Sequence, residues 1–141
     1  MLFRSFNIAL LKAVVEELKM PIACNQIEYH VMLDQTRIKK YMDAHRIPLV
    51  AYCPLVRGQA GSDETMIAIG KKHNASVEQV ALKWLLDQDG VGAIPKASRR
   101  ENQQANLDAL KVRLDDDDRK KIAGLPKNKR FVAPGFSPVW D

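Results

Sequence analysis

Ile94-Pro95-Lys96-Ala97-Ser98-Arg99-Arg100-Glu101-Asn102, running on to Asn106, is the stretch from which the architecture can be read. It reads as a short buried strand ending at Pro95, a tight connection, and then a helix. Ser98 followed three residues later by Glu101 fits the S-x-x-E capping box and predicts a helix start at Ser98. The charges there oppose the helix dipole, whose positive N-terminus favours Asp or Glu in the first turn. Lys96, Arg99 and Arg100 crowd it instead. Cations gathered where backbone N–H groups point outward suit a bound anion, phosphate above all. A basic surface turn screened by water is the other reading, and both stand on these residues alone.

Working outward, the same strand-then-helix alternation repeats. Residues 1–6, apolar at Leu2, Phe3 and Phe6, read as the end of a strand. Asn7 is a good N-cap for a helix with Ile8, Leu11, Val14, Val15 and Leu18 on one face. Residues 21–29 form a strand that turns polar at its end, followed by a helix over 36–44 with Ile38, Tyr41 and Met42 inward. The apolar run 49–53 is a strand stopped by Pro54. A glycine-containing loop over 56–61 leads to a helix over 63–72, and the capping box Ser76/Gln79 starts another that reaches about residue 88. Strand 91–95 then feeds the opening stretch. A last helix begins within Asp115-Asp116-Asp117-Asp118, where acids at the start and Arg119, Lys120 and Lys121 one turn later suit the macrodipole better than a metal site. From Pro126 the tail is rich in Pro and Gly and carries Trp140. Short apolar strands alternating with amphipathic helices predict an α/β fold with a parallel sheet and crossover helices, as one domain over 1–141 with a C-terminal tail over 126–141.

At 141 residues, 46% hydrophobic and 28% charged, the chain has the composition of a folded soluble domain. A net charge of +5 permits an anionic partner without demanding nucleic acid. It carries no RNP-type aromatic motif, zinc-finger spacing or long basic run. Cys24 and Cys53 each lie in an apolar, strand-like segment, which predicts reduced thiols and a cytoplasmic setting. No apolar run approaches the ~18 residues of a membrane span, and the N-terminus does not read as a signal peptide.

Asn25-Gln26-Ile27-Glu28-Tyr29-His30, Tyr52-Cys53-Pro54-Leu55 and Ile94-Pro95-Lys96-Ala97-Ser98 together resemble the aldo-keto reductases, in that family's order and at about its spacing. Gln79-Val80-Ala81-Leu82-Lys83-Trp84 and Asn106 continue the likeness, and the ending from Arg130 to Asp141 is similar to the bacterial 2,5-diketo-gluconate and methylglyoxal reductase branch. The resemblance implies an NADPH-dependent (β/α)8 barrel, of which this chain corresponds to the second half, starting inside strand five. Such a barrel needs ~250 residues. The family's catalytic Asp, Tyr, Lys and His belong to the first half and have no counterpart here, so no catalytic residue is assigned.

The same resemblance implies a cofactor site. Gln26 corresponds to the residue that bonds the nicotinamide carboxamide, and Tyr52 to the aromatic beneath the nicotinamide ring. Leu55 and the Gly58 loop correspond to the segment around the pyrophosphate, Lys96 to the lysine at the adenosine 2′-phosphate, and Asn106 to the asparagine at adenine. Ala97 stands where the family usually has Ser or Thr, Asn102 stands at the position of an arginine that packs on adenine, and Arg4-Ser5 replaces a Ser-Asn pair. Arg99 and Arg100 are expected to offset the missing arginine in part, and Ser98 is counted among the cofactor-binding residues. Phe131, Phe136 and Trp140 are substrate-loop candidates by position, or equally clamps that tie the tail down.

Three functions follow as expectations. The first is the C-terminal half of an NADPH-dependent carbonyl reductase, inactive alone for want of an acid. The second is a half-barrel that associates with itself or with an N-terminal half, since an open parallel sheet leaves two unpaired edges. The third, disfavoured by the motifs, is a basic phosphate- or nucleic-acid-binding module.

Overall fold

The computed structural model describes residues 2–133, 135 and 138–140; the candidate Phe136 lies outside the described residues. Four parallel strands, β1 (Leu2–Arg4), β2 (Cys24–Glu28), β3 (Leu49–Tyr52) and β4 (Val91–Ala93), stand side by side in chain order. Register runs Arg4–Gln26–Val50–Gly92 across the sheet, with Glu28 opposite Tyr52. Each connection carries helix: α1 (Ile8–Lys12), α2 (Thr36–Ala44), and the pair α3 (Glu64–Lys72) and α4 (Val77–Leu86). After β4 come α5 (Arg100–Asp108) and α6 (Asp116–Ala123). Because a crossover is needed to join parallel neighbours, the alternation in the sequence predicts a parallel sheet with helical connections, and the structure supplies the strand order.

Local chemistry explains most of the boundaries. The Asn7 side chain accepts from the Leu10 N–H at 2.9 Å, and Ser76 and Gln79 make the expected reciprocal capping box. Buried Asn25 holds the β1–α1 connection by donating to the Phe6 carbonyl at 3.0 Å. Gly70 is required at the end of α3, because a Cβ there would stand 2.7 Å from the Ala75 carbonyl oxygen.

Three expectations need correction. The first helix passes at Ala13–Glu17 into a π-turn, closed by Leu18 N–H to Ala13 C=O at 2.9 Å. The extra residue in that turn rotates Leu18 off the face shared by Leu11 and Val14, so Leu18 is exposed. Strand β4 ends at Ala93 rather than Pro95, and α5 starts at Arg100 rather than Ser98. With Arg99 as N-cap, the third helical residue is Asn102 and not Glu101, so the Ser98–Glu101 box cannot form, and no side chain caps α5.

The two faces of the sheet differ. Ile27, Leu49 and Ala51 point to one side and pack with Leu11, Ile38, Met42 and Leu85 in a buried cluster. Side chains alternate along a strand, so Gln26, Val50 and Tyr52 share the other side, where all three are only half-buried. A second buried cluster lies among α3, α4 and α6, including Met66, Ile69, Val80 and Ile122, with Met32 and Val56 from the loops after β2 and β3.

Candidate functional site

The C-terminal ends of β2, β3 and β4 gather the predicted site residues into two groups. Gln26 and Tyr52 lie on the half-buried sheet face, two strands abreast. Arg4, opposite Gln26 in register, places its guanidinium 6.0 Å from the centre of the Tyr52 ring. That is the outer limit of a cation–π contact. Arg4 therefore covers part of the aromatic surface that the resemblance reserves for a cofactor ring.

Beyond Tyr52 the backbone turns through left-handed conformations at Cys53 (φ 56°), Val56 (φ 54°), Arg57 (φ 49°) and Gly58 (φ 79°). For each residue with a side chain this costs roughly 1–2 kcal/mol. Half-buried Leu55 opens the short 3-10 segment Val56–Ser62. The N–H groups of Val56 and Gly58 bond to the carbonyls of Cys53 and Leu55, at 3.2 and 2.9 Å, so they turn inward rather than toward a ligand. Burial pushes the Cys53 thiol pKa up and the Glu28 charge adds to this, while Arg57 pulls it the other way.

The second group is the turn between β4 and α5. Lys96, Ser98, Arg99 and Arg100 are exposed, and none of the three cations has a carboxylate partner among the described residues. Five other cations, Lys39, Lys72, Lys83, Arg119 and Lys121, each meet one at 3.0 Å or less. The uncapped first turn of α5 adds its amides to the same spot. Directly beside it opens a cavity of about 590 Å³ between α4, β4 and α5. Pro95, Ala97, Gln103 and Asn106 line its end nearest the turn, and Leu107 and Leu110 its far end. The Gln103 amide donates to the Ala97 carbonyl at 3.1 Å, and Asn106 is half-buried at the rim.

Sequence reading missed a third group. Glu28, with no exposed surface, accepts from the amides of Phe131 (2.6 Å) and Val132 (2.9 Å) and from His30 Nε2 (3.0 Å). His30 Nδ1 accepts from the Met32 N–H, so a neutral ring protonated at Nε2 satisfies both contacts. Burial alone would raise the Glu28 pKa, but these donors together outweigh it and hold the carboxyl below its ordinary range. The Phe131 ring rests 5.3 Å from that of His30, and Arg130 lies 4.1 Å over the Trp140 ring. The first contact joins the tail to the end of β2, and the second lies within the tail itself. The alternation of Gln26 and Glu28 along β2 signals a shared face, but nothing local points to amides a hundred residues away.

The aldo/keto reductase family model matches residues 3–127. The chain belongs to the aldo/keto reductase family. Among relatives of this aldo/keto reductase, methylglyoxal reductase DkgB of Escherichia coli O157:H7 is 40% identical over 121 residues, which are 85% of this chain and 45% of that protein. A putative 2,5-diketo-D-gluconic acid reductase B superposes with a TM-score of 0.90 at 27% identity, over 98% of this chain and 50% of the other. A mutant of Gox0644, solved in complex with NADPH, gives a TM-score of 0.85 at 30% identity, over 92% of this chain and 48% of the other. The chain therefore spans about half the length of the reductases it matches. Among the described residues, no helix is long and apolar enough to cross a membrane.

Proposed function

We propose that the chain is the cofactor-holding half of an NADPH-dependent carbonyl reductase barrel, corresponding to its last four strands. The observation that carries this reading is the turn at 96–100. Three exposed cations without a carboxylate partner among the described residues flank, in sequence, the uncapped start of α5, next to a cavity lined by the carboxamides of Gln103 and Asn106. Such a site fits a nucleotide 2′-phosphate with its adenine: Lys96, Arg99 and Arg100 would hold the phosphate, and Asn106 the base. The nicotinamide end fits less well, because Arg4 must leave the Tyr52 ring before another ring can lie on it. Gln26 would then meet the carboxamide with both a donor and an acceptor.

The bound cofactor supplies hydride to a carbonyl carbon. Completing that transfer requires an acid to protonate the alkoxide. The tyrosine acid that the family resemblance calls for has no counterpart in these residues, so this half holds the cofactor and does not turn it over.

Cofactor fluorescence titration tests the reading. The chain should bind NADPH more tightly than NADH. Replacing Lys96 and Arg100 with Ala should weaken NADPH about ten- to a hundredfold, as for lost charge-assisted hydrogen bonds, and leave NADH unchanged. Equal affinities for the two cofactors in the parent chain would sink the assignment, and so would NADPH-dependent reduction of methylglyoxal at an ordinary enzyme rate of ~10 s⁻¹ by the chain alone.

A further inference from the structure

We infer that the cavity between the start of α2 and the C-terminal tail binds a small oxyanion group, a phosphate or a carboxylate, independently of the turn at 96–100. The cavity measures about 290 Å³, and its wall includes Asp34, Thr36, Arg37, Lys127, Arg130 and Trp140. Three of these side chains are cationic and one is acidic. The acid is already engaged, since Asp34 Oδ1 accepts from the Thr36 N–H at 2.9 Å and from the Thr36 hydroxyl at 2.6 Å. Arg37 is exposed and has no carboxylate partner among the described residues.

Two nitrogens in this wall carry the inference. Arg130 Nη1 and Trp140 Nε1 are buried and meet no hydrogen-bond acceptor among the described residues. Glu28 Oε2 stands 3.9 Å from the Arg130 nitrogen, beyond hydrogen-bond range. That carboxylate is committed to the Phe131 and Val132 amides and to His30. Buried donors are almost always paired, yet here two lie together, with the guanidinium 4.1 Å over the indole ring. The charges are undercompensated as well. Burial lowers the Arg130 pKa against the pull of Glu28, and it pushes that of Lys127 down to about 8. An oxyanion supplies what is missing, acceptor oxygens for both N–H groups and a negative charge among the three cations. Neither nitrogen is open to solvent, so the anion meets them by a small outward shift of the indole, which belongs to the tail beyond the amides held by Glu28. The volume lies below the ~300–1,000 Å³ of pockets that take drug-sized ligands, so a free ion or the charged end of a small organic acid fits and a dinucleotide does not.

Two-dimensional NMR of the nitrogen-15-labelled full chain separates the indole N–H signals of its 2 tryptophans, Trp84 and Trp140. Trp140→Phe identifies the second signal and keeps an aromatic ring on Arg130. Titration with inorganic phosphate, and separately with acetate, should move the Trp140 signal along a saturable curve and leave that of Trp84 still. Chloride at equal ionic strength should move neither. Saturation with phosphate alone makes this a phosphate site, and saturation with acetate makes it a site for carboxylates. Arg37→Ala should weaken the saturating ion about two- to fivefold, the range for one exposed charge, with an unchanged urea midpoint because the side chain is exposed. Replacing Lys96 and Arg100 with Ala should leave the Trp140 titration unchanged. A Trp140 signal that neither ion moves, one that chloride moves equally, or a response lost with Lys96 and Arg100 but kept in Arg37→Ala would each overturn the site. A chain that prefers NADPH but whose Trp140 signal stays still loses this site and keeps the cofactor reading; a titrating Trp140 without that preference does the reverse.

Discussion

Glu28 carries a charge into a place with no solvent, at the end of the strand that also bears Gln26. Its three donors make this tolerable, and two of them come from the tail, so the carboxylate fixes where residues 131 and 132 lie. Glu28→Gln keeps the size but turns an NH2 group toward donors that need an acceptor. The variant should lose about 2–4 kcal/mol in urea unfolding, the penalty of leaving buried partners unmatched. Proteolysis should reach the tail after Val132 earlier than in the parent chain. A variant with unchanged urea midpoint and unchanged cleavage would show that the tail is held by its aromatics alone. At this scale the sequence was half legible. Tyr52 could be placed at a strand end from the block around it, whereas Gln26 falls in the middle of β2 and Lys96 in the turn past β4. The partners of Glu28 and the approach of Arg4 to Tyr52 depend on long-range geometry with no periodic signature.

The start of α6 shows what a helix end makes of an acidic run. Asp115 is the N-cap, its carboxylate accepts from the Asp118 N–H at 2.9 Å, and Asp118 returns the bond at 3.1 Å. Buried Asp118 also meets Lys72 at 2.9 Å and His73 at 2.6 Å, tying α6 to the end of α3. Asp115, Asp117 and Asp118 hold carboxylate oxygens within 4.8 Å of one another, but the Lys72 ammonium is the cation that meets Asp115 and Asp118. Burial works to raise the Asp118 pKa, and the bonds from Lys72, the Asp115 amide and His73 outweigh it, so the folded value lies below the usual aspartate range. A depressed carboxyl contributes stability above its unfolded pKa of about 3.9 and loses it as pH falls through the folded value. Asp118→Asn should therefore cost about 2–3 kcal/mol at neutral pH, the range for hydrogen bonds to a charged group. The difference between variant and parent should shrink on acidification below about pH 4. A gap that stays constant down to about pH 2 would assign the loss to packing instead. Capping residues made this helix readable in advance, as they did α1 and α4. The start of α5 was misplaced because Ser98 and Glu101 have the right spacing, and only the path of the backbone shows that Arg99 takes the cap.

Across the whole molecule the core is divided, with one cluster under the sheet and another among the helices, and Trp84 packs against both. The alternating pattern revealed the sheet and the crossovers but not this division, because period alone does not say which buried face meets which. Trp84 occupies a position on α4 between Leu85, which faces the sheet, and Val80 and Ala81, which face α3 and α6. Its ring meets Tyr29 edge-on at 5.4 Å and lies 5.0 Å from the Lys127 ammonium. That ammonium donates to the Val31 and Ile122 carbonyls, which carries the contact on to α6. The indole is thus the shared wall through which unfolding of one cluster is felt by the other. Trp84→Ala should cost about 3–5 kcal/mol, the usual range for emptying a packed aromatic site. It should also separate the two clusters, so that hydrogen exchange in α6 and in α2 reports different opening free energies where the parent reports one. Trp84→Phe should restore much of the stability and all of the coupling. If Trp84→Ala still opens α2 and α6 with a single free energy, the clusters communicate through the backbone of α4 and the indole is only filling space.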